Sequence, residues 1–442
     1  MNHATSHPHH PRSFATALVI WAIALAVLIL SAIQLASWRQ AIDGRETLAR
    51  VRASWAARAG VESVIARLQQ EADQAQPLGP RALLADLANV ADGSLQNATF
   101  TTTHDGPTGP EPGPGDAHAK INVNRAIASD LMLIPNMTED AADSIIDWID
   151  TDEEAGANGA EFEAYTGLTI PYVPRNGPVP TLAELLLVTG VRSEDLFGDG
   201  SQAFGVLLPP AATTTTNFAA TASSAAGWSA YLTASSLTGG LSATGQARID
   251  LATASSQDIE SAIGVDSVQA DAIIAHASGG GTIADFIRTD LRTLAQQARQ
   301  AQGNNQGPQP QVANLTRDEL TLLLAECAVG DSTILEPGKL NICTAQEEVL
   351  DYVEALTPTI RDAIVLFRDQ RGGDLTSIVD LLDIPQVTNA VLADLYPLID
   401  VRSNVFQLRV VGRDAASGMS VEMFAEIDRS TQPVTIRSLM TR

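Results

Sequence analysis

Residues 14–37 read FATALVIWAIALAVLILSAIQLAS and hold no charged side chain. That run exceeds the ~20 apolar residues that cross a bilayer as a helix. The stretch before it, MNHATSHPHHPRS, is polar with one Arg, and no small-residue cleavage pattern follows the run. A secretory signal has a shorter apolar core, so this segment reads as a retained anchor. The helical pattern then continues through WRQAIDGRETLARVRASWAARAGVESVIARLQQEADQA. Apolar positions Leu48, Val51, Trp55, Ala59, Val64, Ile65 and Leu68 keep a spacing near 3.6. Gly44 and Gly60 weaken the helix by roughly 1 kcal/mol each. A continuous helix from Phe14 to Ala75 would be on the order of 90 Å long, half in lipid and half an amphipathic rod. The rod's apolar stripe needs cover, from the same chain or from a neighbour.

The remainder is long enough for about two or three compact domains. At 45% hydrophobic residues it can bury a real core. Acidic residues outnumber basic ones 52 to 27, a net of −25, so the surface repels nucleic acid and anionic lipid and favours cations or basic partners. Cys327 and Cys343 are the only cysteines. They form either one disulfide, in an oxidising compartment, or two unrelated buried thiols, and sequence carries no geometry to decide.

ATFTTTHD and HAKINVN read as strands on either side of GPTGPEPGPG, a hairpin tip or linker. The tail VFQLRVVGR, SVEMFAEIDR and PVTIRSL alternates with period two and reads as three antiparallel strands. Between them lies an internal repeat. Its copies open at Ile121-Asn122, Ile249-Asp250 and Leu340-Asn341, and Asp143, Asp271 or Asp362 follows twenty-two residues after each start. An apolar pair and then a Thr come next, at Thr181, Thr282 and Thr376. Each Thr is expected to open another helix, the first two as capping boxes or near-boxes. The Ala/Thr/Ser-rich span 201–245 reads in part as a flexible loop, with Trp228 and Tyr231 as anchors, and residues 298–311 as another loop.

The leader, anchor and rod resemble those of type IV pilin-like proteins. In that family a dedicated peptidase cuts before a Phe, a place that Phe14 fits, with Ser13 where the family has Gly. Most members carry Glu at the fifth mature position, and here that position is Leu18. A carboxylate in lipid is costly without a partner, so a subunit with no neighbour ahead of it has no use for one. The sharpest resemblance lies in DWIDTDEEAGANGAEFEAYTGLTIPYVPRNGPVPTLAELLLVTG. Its Asp150-x-Asp152 cluster, Asn158 to Glu161, Tyr165, Pro171-Tyr172, Arg175 to Pro178 and Leu185 to Gly190 are similar to the hallmark of K-type minor pseudopilins of type II secretion systems.

That resemblance implies an α+β fold, a pilin-like long N-terminal helix on a small antiparallel sheet. The sheet is interrupted by a large all-α insertion with helix-hairpin-helix-like repeats. The expected divisions are a leader at 1–13, a membrane segment at 14–37, stem helix and first strands at 38–124, helical insertion at 125–400 and closing strands at 401–442. Within the insertion the repeats fall near 121–192, 249–290 and 340–386. The implied function is non-enzymatic: capping the tip of a pseudopilus and helping to start its assembly for export across the outer membrane. Expected partners are other minor pseudopilins, the inner-membrane secretion platform and the prepilin peptidase. The expected location is the inner membrane, single-pass, with the C-terminal domain in the periplasm. Arg39, Arg45, Arg50 and Arg52 follow the anchor, and the positive-inside rule alone would leave that domain in the cytoplasm.

The alternative is an inner-membrane helix-hairpin-helix DNA-binding protein of the competence type. Its turns would need a paired Gly-hydrophobic-Gly signature, whereas those here read IPNMTED, IGVDSVQA and LTPTIRD with carboxylates nearby. No nucleic-acid partner is therefore expected. No HExxH, GxSxG, P-loop or CxxC occurs, so no catalytic set emerges. Asp150, Asp152 and Glu161 fall in an acidic, Gly-containing loop that suits Ca²⁺, a cation the family is described as binding; the other reading is a solvated acidic loop.

Overall fold

The computed structural model describes residues 12–72, 78–106, 109–198, 227–242, 246–301, 311–331 and 334–442. One helix, Arg12–Ala72, runs unbroken for 61 residues, roughly 90 Å at 1.5 Å per residue. Among the described residues it is the helix long and apolar enough to cross a membrane. From Ala15 to Leu48 it touches nothing that buries it. Beyond that it lies on a sheet through Ala53, Ala56, Ala57, Val61, Val64, Ile65 and Leu68.

The sheet is antiparallel, in the order Asp92–Leu95, Ala98–Gly106, Val405–Asp414, Ser420–Asp428, Thr435–Thr441. Two short strands, Gly109–Pro112 and Gly115–Asp116, add to Ala98–Gly106 and Val405–Asp414. The period-two alternation of the tail sends Phe406, Leu408 and Val410 toward the helix. Small residues set the depth of that contact. A Cβ on Gly412 would run into the Ala53 carbonyl and the Ala57 amide, and one on Gly60 would sit 2.6 Å from Val410 Cγ1 and 2.8 Å from Phe100 Cδ2. The expected rod stripe therefore divides in two. Val64, Ile65 and Leu68 are buried on the sheet, but Leu48, Val51 and Trp55 point away from it, and alanines fill the inner face at that level.

Between the two halves of the sheet the chain builds three modules on one plan. Each opens with a two-residue strand that pairs in parallel with a strand closing the same module: Ile121–Asn122 with Leu232–Thr233, Ile249–Asp250 with Cys327–Ala328, and Leu340–Asn341 with Ile399–Asp400. The Asn or Asp side chain accepts from the N–H two residues on, at 3.0 Å from Asn124, 3.1 Å from Ala252 and 2.9 Å from Cys343. The carbonyl of the same residue then accepts from Ala126, Ala254 or Ala345 at 3.1, 2.9 and 2.8 Å. This turn satisfies the backbone where the strand ends, a standard use of Asn and Asp. A short helix, a turn and a longer helix follow in each case: Ala128–Met132 and Glu139–Ile149, Ser256–Ile263 and Ser267–Ser278, Glu347–Leu350 and Pro358–Gln370. One continuous core unites the modules.

Polar contacts tie the stem's end to the sheet, and the sheet to the third module. Glu71, 1% exposed, receives Arg429 at 2.7 Å and the Leu78 amide at 2.9 Å. Asp116 accepts Thr344 Oγ1 and Ser403 Oγ, both at 2.5 Å.

Several local readings change. HAKINVN is not a strand of the sheet: Ala117–Ala119 and Val123–Arg125 are single 3₁₀ turns around the short Ile121–Asn122 ladder. Part of GPTGPEPGPG is itself a strand. The Thr181 to Glu184 capping box is not made, because Glu184 is engaged by Arg175 and by Trp148 Nε1. In the third module Ser377 caps the helix Ile378–Asp383, and Thr376 donates to Asp380 instead. The helix Leu291–Ala301 runs into the span read as a loop. Residues 199–226 and 243–245, most of the span read as a flexible loop, lie outside the described residues, as do residues 1–11 of the expected leader. Trp228 is buried and Leu232–Thr233 closes the first module, so the rest of that span is structural.

Gly412→Val should cost about 1–3 kcal/mol or more by forcing helix and sheet apart. Thermal unfolding of the purified chain checks this, with Val411→Ala on the opposite face of the same strand as a milder control.

Candidate metal site

The first module departs from the other two by an insertion between Ile149 and Thr181, and the carboxylates collect there. Helix Glu139–Ile149 begins at Thr138, whose hydroxyl accepts from Ala141 N–H at 3.2 Å. Asp143 and Asp147 lie one turn apart on that helix and hold the insertion down. Asp147 accepts from the Gly156 amide at 3.0 and 3.1 Å, and Asp143 accepts from Asn158 N–H at 3.0 Å. An aromatic group anchors the other end. Tyr165 stands edge-on to Trp148 with centroids 5.1 Å apart, and Tyr172 lies 5.4 Å from Tyr165. The Tyr172 hydroxyl donates to the Leu187 carbonyl at 2.6 Å. Arg175 forks onto Glu184 and closes the loop against the module.

This packing brings Asp150, Asp152 and Glu161 together, with one carboxylate oxygen of each within 4.8 Å of the others. Glu161 is 7% exposed, and neither of its oxygens has a hydrogen-bond partner; Asp150 Oδ1 is likewise buried without one. Burial raises the pKa of Asp150 and Glu161 from their ordinary values. Asp152 and then Asp147 push Asp150 further, and Asp147 and Asp150 do the same for Glu161. Asp147 is raised too, first by burial, against the opposing pull of the Gly156 and Ala160 amides. Buried, unpaired acceptors beside like charges are costly unless something positive sits among them.

Asn176 belongs to the Arg175 to Pro178 run of the resemblance but was not read as a ligand. Its backbone is left-handed at φ 47°, its Nδ2 donates to the Asp152 carbonyl at 2.8 Å, and its Oδ1 is buried and unpaired. The Asn-Gly pair at 176–177 was the available signal, since Asn tolerates that conformation. The donor set is all oxygen on a turning loop, which suits a hard divalent cation.

The remaining singled-out residues are not part of this site. Leu18 lies exposed on the anchor helix, and Ser13 and Phe14 fall in that helix's first turn. Cys327 and Cys343 are free and buried, so the disulfide alternative is not realised. Cys327 sits in the ladder closing the second module and Cys343 in the turn opening the third, where it accepts from the Leu375 amide. Burial pushes both thiols up to about 12, which makes them inert.

Residues 103–196 match the family model described as "Type II secretion system (T2SS), protein K", a span that contains the insertion and all three carboxylates. No curated protein matches the chain. Among solved structures, a chain of the GspK-GspI-GspJ complex of the enterotoxigenic Escherichia coli Type 2 Secretion System is 13% identical, with a TM-score of 0.45, covering 90% of this chain and 99% of that one. The fold assignment rests on the helix, sheet and modules described above.

Asp147→Ala removes the acceptor for two backbone amides and should cost about 1–3 kcal/mol. Proteolysis should then cut first between residues 150 and 160, read by mass spectrometry of the fragments.

Proposed function

We propose that this chain, which carries the protein K domain of type II secretion, is a non-enzymatic minor pseudopilin that caps the pseudopilus and helps to start its assembly. The observation that carries the reading is the stem's outer face. Leu48, Val51 and Trp55 are 48%, 46% and 68% exposed just beyond the anchor, on the side turned away from the chain's own sheet. Large apolar side chains left out at that level call for a neighbouring helix. The occupants that fit are the stems of smaller minor pseudopilins, lying side by side in the membrane and above it. Two features favour the end of the filament. Leu18 offers no carboxylate to a subunit ahead, and the three-module head, joined to the segment just after the stem through Arg81, Cys343 and Asp374, leaves little room for one.

In this reading the prepilin peptidase cuts between Ser13 and Phe14. The anchor lies in the inner membrane beside the secretion platform, and the head lies in the periplasm. One of the four arginines that argue for the opposite orientation is engaged by the sheet, Arg52 lying 3.6 Å from Asp414.

The same reading places Ca²⁺ at Asp150, Asp152 and Glu161, with Asn176 Oδ1 as a further oxygen. The unpaired buried oxygens support it. The cation would offset their mutual repulsion and fix the insertion on the first module.

Trp55→Glu should reduce capture of the smaller minor pseudopilins at least tenfold in co-purification from detergent-solubilised membranes, and mass analysis of the same material should find a mature chain beginning at Phe14. Capture unchanged by Trp55→Glu would remove the basis for the proposal.

Calcium should raise the thermal midpoint at pH 7.5, and Asp150→Asn and Glu161→Gln should abolish the response. The sign with pH follows from the raised pKa values. Without the cation, these carboxylates destabilise the fold above their folded pKa, and the penalty is relieved as acid protonates them. Protons and calcium compete, so the calcium-induced shift should shrink between pH 7.5 and pH 5. A shift that grows on acidification would contradict the assignment.

A further inference from the structure

Well away from the acidic insertion, a cavity of about 470 Å³ lies between the second and third modules. That is within the usual range for a small-molecule pocket. Its cationic lining follows from the repeated module plan. A basic residue stands immediately before each opening strand, at Lys120, Arg248 and Lys339. Lys120 turns onto the Ser229 carbonyl at 2.7 Å. Arg248 and Lys339 both reach the cavity wall, where Arg402, just past the last closing strand, and Arg125 join them.

Arg125 has a structural job. It donates to the Pro397 carbonyl at 2.9 Å and the Pro337 carbonyl at 3.1 Å, and lies 3.8 Å from Glu336. Lys339 and Arg402 differ. Lys339 is 7% exposed, and its ammonium sits 3.5 Å over the Tyr396 ring. Among the described residues no side-chain hydrogen bond or ion pair reaches the Lys339 ammonium or the Arg402 guanidinium. Burial, the largest influence, lowers Lys339 to about 8 and lowers Arg402 as well. A chain with only two lysines and a net charge of −25 thus keeps one of them buried, lining the same half-open cavity as Arg402. An unpaired buried cation is costly unless an anion joins it.

We propose that this cavity binds a small organic carboxylate, its anionic end held between Lys339 and Arg402 and its apolar body resting on Leu324, Ile378 and Val401. A guanidinium fork matches a carboxylate in two parallel hydrogen bonds, and the three apolar residues line the same wall space. Asp331, Glu336 and Asp400 also line the cavity. They limit the charge it accepts to one, which disfavours a phosphate dianion.

The full-length chain in non-ionic detergent provides the test, with benzoate as the probe and benzamide and inorganic phosphate as comparisons. Calorimetry should give saturable one-to-one binding of benzoate, at least about tenfold tighter than benzamide or phosphate, the size expected for one charge-assisted hydrogen bond. Arg402→Met and Lys339→Met should each weaken benzoate by a similar factor. A readout on the unmutated chain guards against variants that fail to fold. Amine-directed acetylation, followed at each lysine by mass spectrometry, should slow at Lys339 when benzoate is present and stay constant at Lys120. No saturable binding, equal affinity for phosphate, or unchanged labelling of Lys339 at high benzoate would each overturn the proposal.

Discussion

The backbone-to-backbone approach of the stem helix and the strand Val405–Asp414 governs the rest of this molecule. At Gly412 there is no room for even a methyl group between the strand and the helix at Ala53 and Ala57. A contact that close needs alanine and glycine on the inner face. It follows that the large apolar residues of the same helical stretch, Leu48, Val51 and Trp55, must lie outside. One steric demand thus produces both a tight intramolecular joint and an apolar outer face. It also explains why the stem's apolar periodicity did not reveal its orientation. Periodicity locates apolar residues around a helix, but the side that packs internally was chosen here by smallness, through Ala53, Ala57, Gly60 and Gly412, and not by hydrophobicity.

The head solves a different problem. A run of short helices buries apolar surface well but leaves many chain ends with unsatisfied backbone groups. The same answer recurs three times: a two-residue parallel ladder ties the module's ends together, and an Asn or Asp side chain closes the turn that follows. Both devices depend on residue identity at fixed places, which is why the triplication was legible as Ile121-Asn122, Ile249-Asp250 and Leu340-Asn341. The ladders themselves were not. Two residues give no alternation to detect, and their partners at 232, 327 and 399 are set by tertiary closure alone.

The candidate metal site was legible in part for related reasons. Asp150, Asp152 and Glu161 stood out because acidic residues dense around glycine are unusual in a packed module. Asp143 and Asp147 sit on an ordinary amphipathic helix, and their work, holding the amides of Asn158 and Gly156, becomes visible only once the loop folds back. The cation-lined cavity was not legible at all. Its members come from positions 125, 248, 339 and 402, and only the packing of modules two and three brings them into one wall. The cysteines show the converse. The sequence left pairing open, and each thiol proves to be a small buried residue at a module end.

The use of arginine bears on the nucleic-acid reading more directly than net charge does. Arg368 donates to the carbonyls of Ile342 and Ala345, Arg81 to that of Cys343, Arg317 to that of Val379, Arg429 to that of Ser403 and Arg437 to that of Ser235. Apart from Val379, which lies in the helix Ile378–Asp383, these acceptors are backbone oxygens of irregular segments, the condition under which a buried polar group would otherwise be left unpaired. Cations committed in this way cannot be presented to a phosphate backbone. The helix turns IPNMTED, IGVDSVQA and LTPTIRD carry carboxylates, which does not favour the electrostatic footprint that double-stranded DNA requires. In the helical head, Arg317 and Arg368 thus hold the chain's own backbone, while Arg192 and Arg288 stay outside in ion pairs with Asp195 and Asp394.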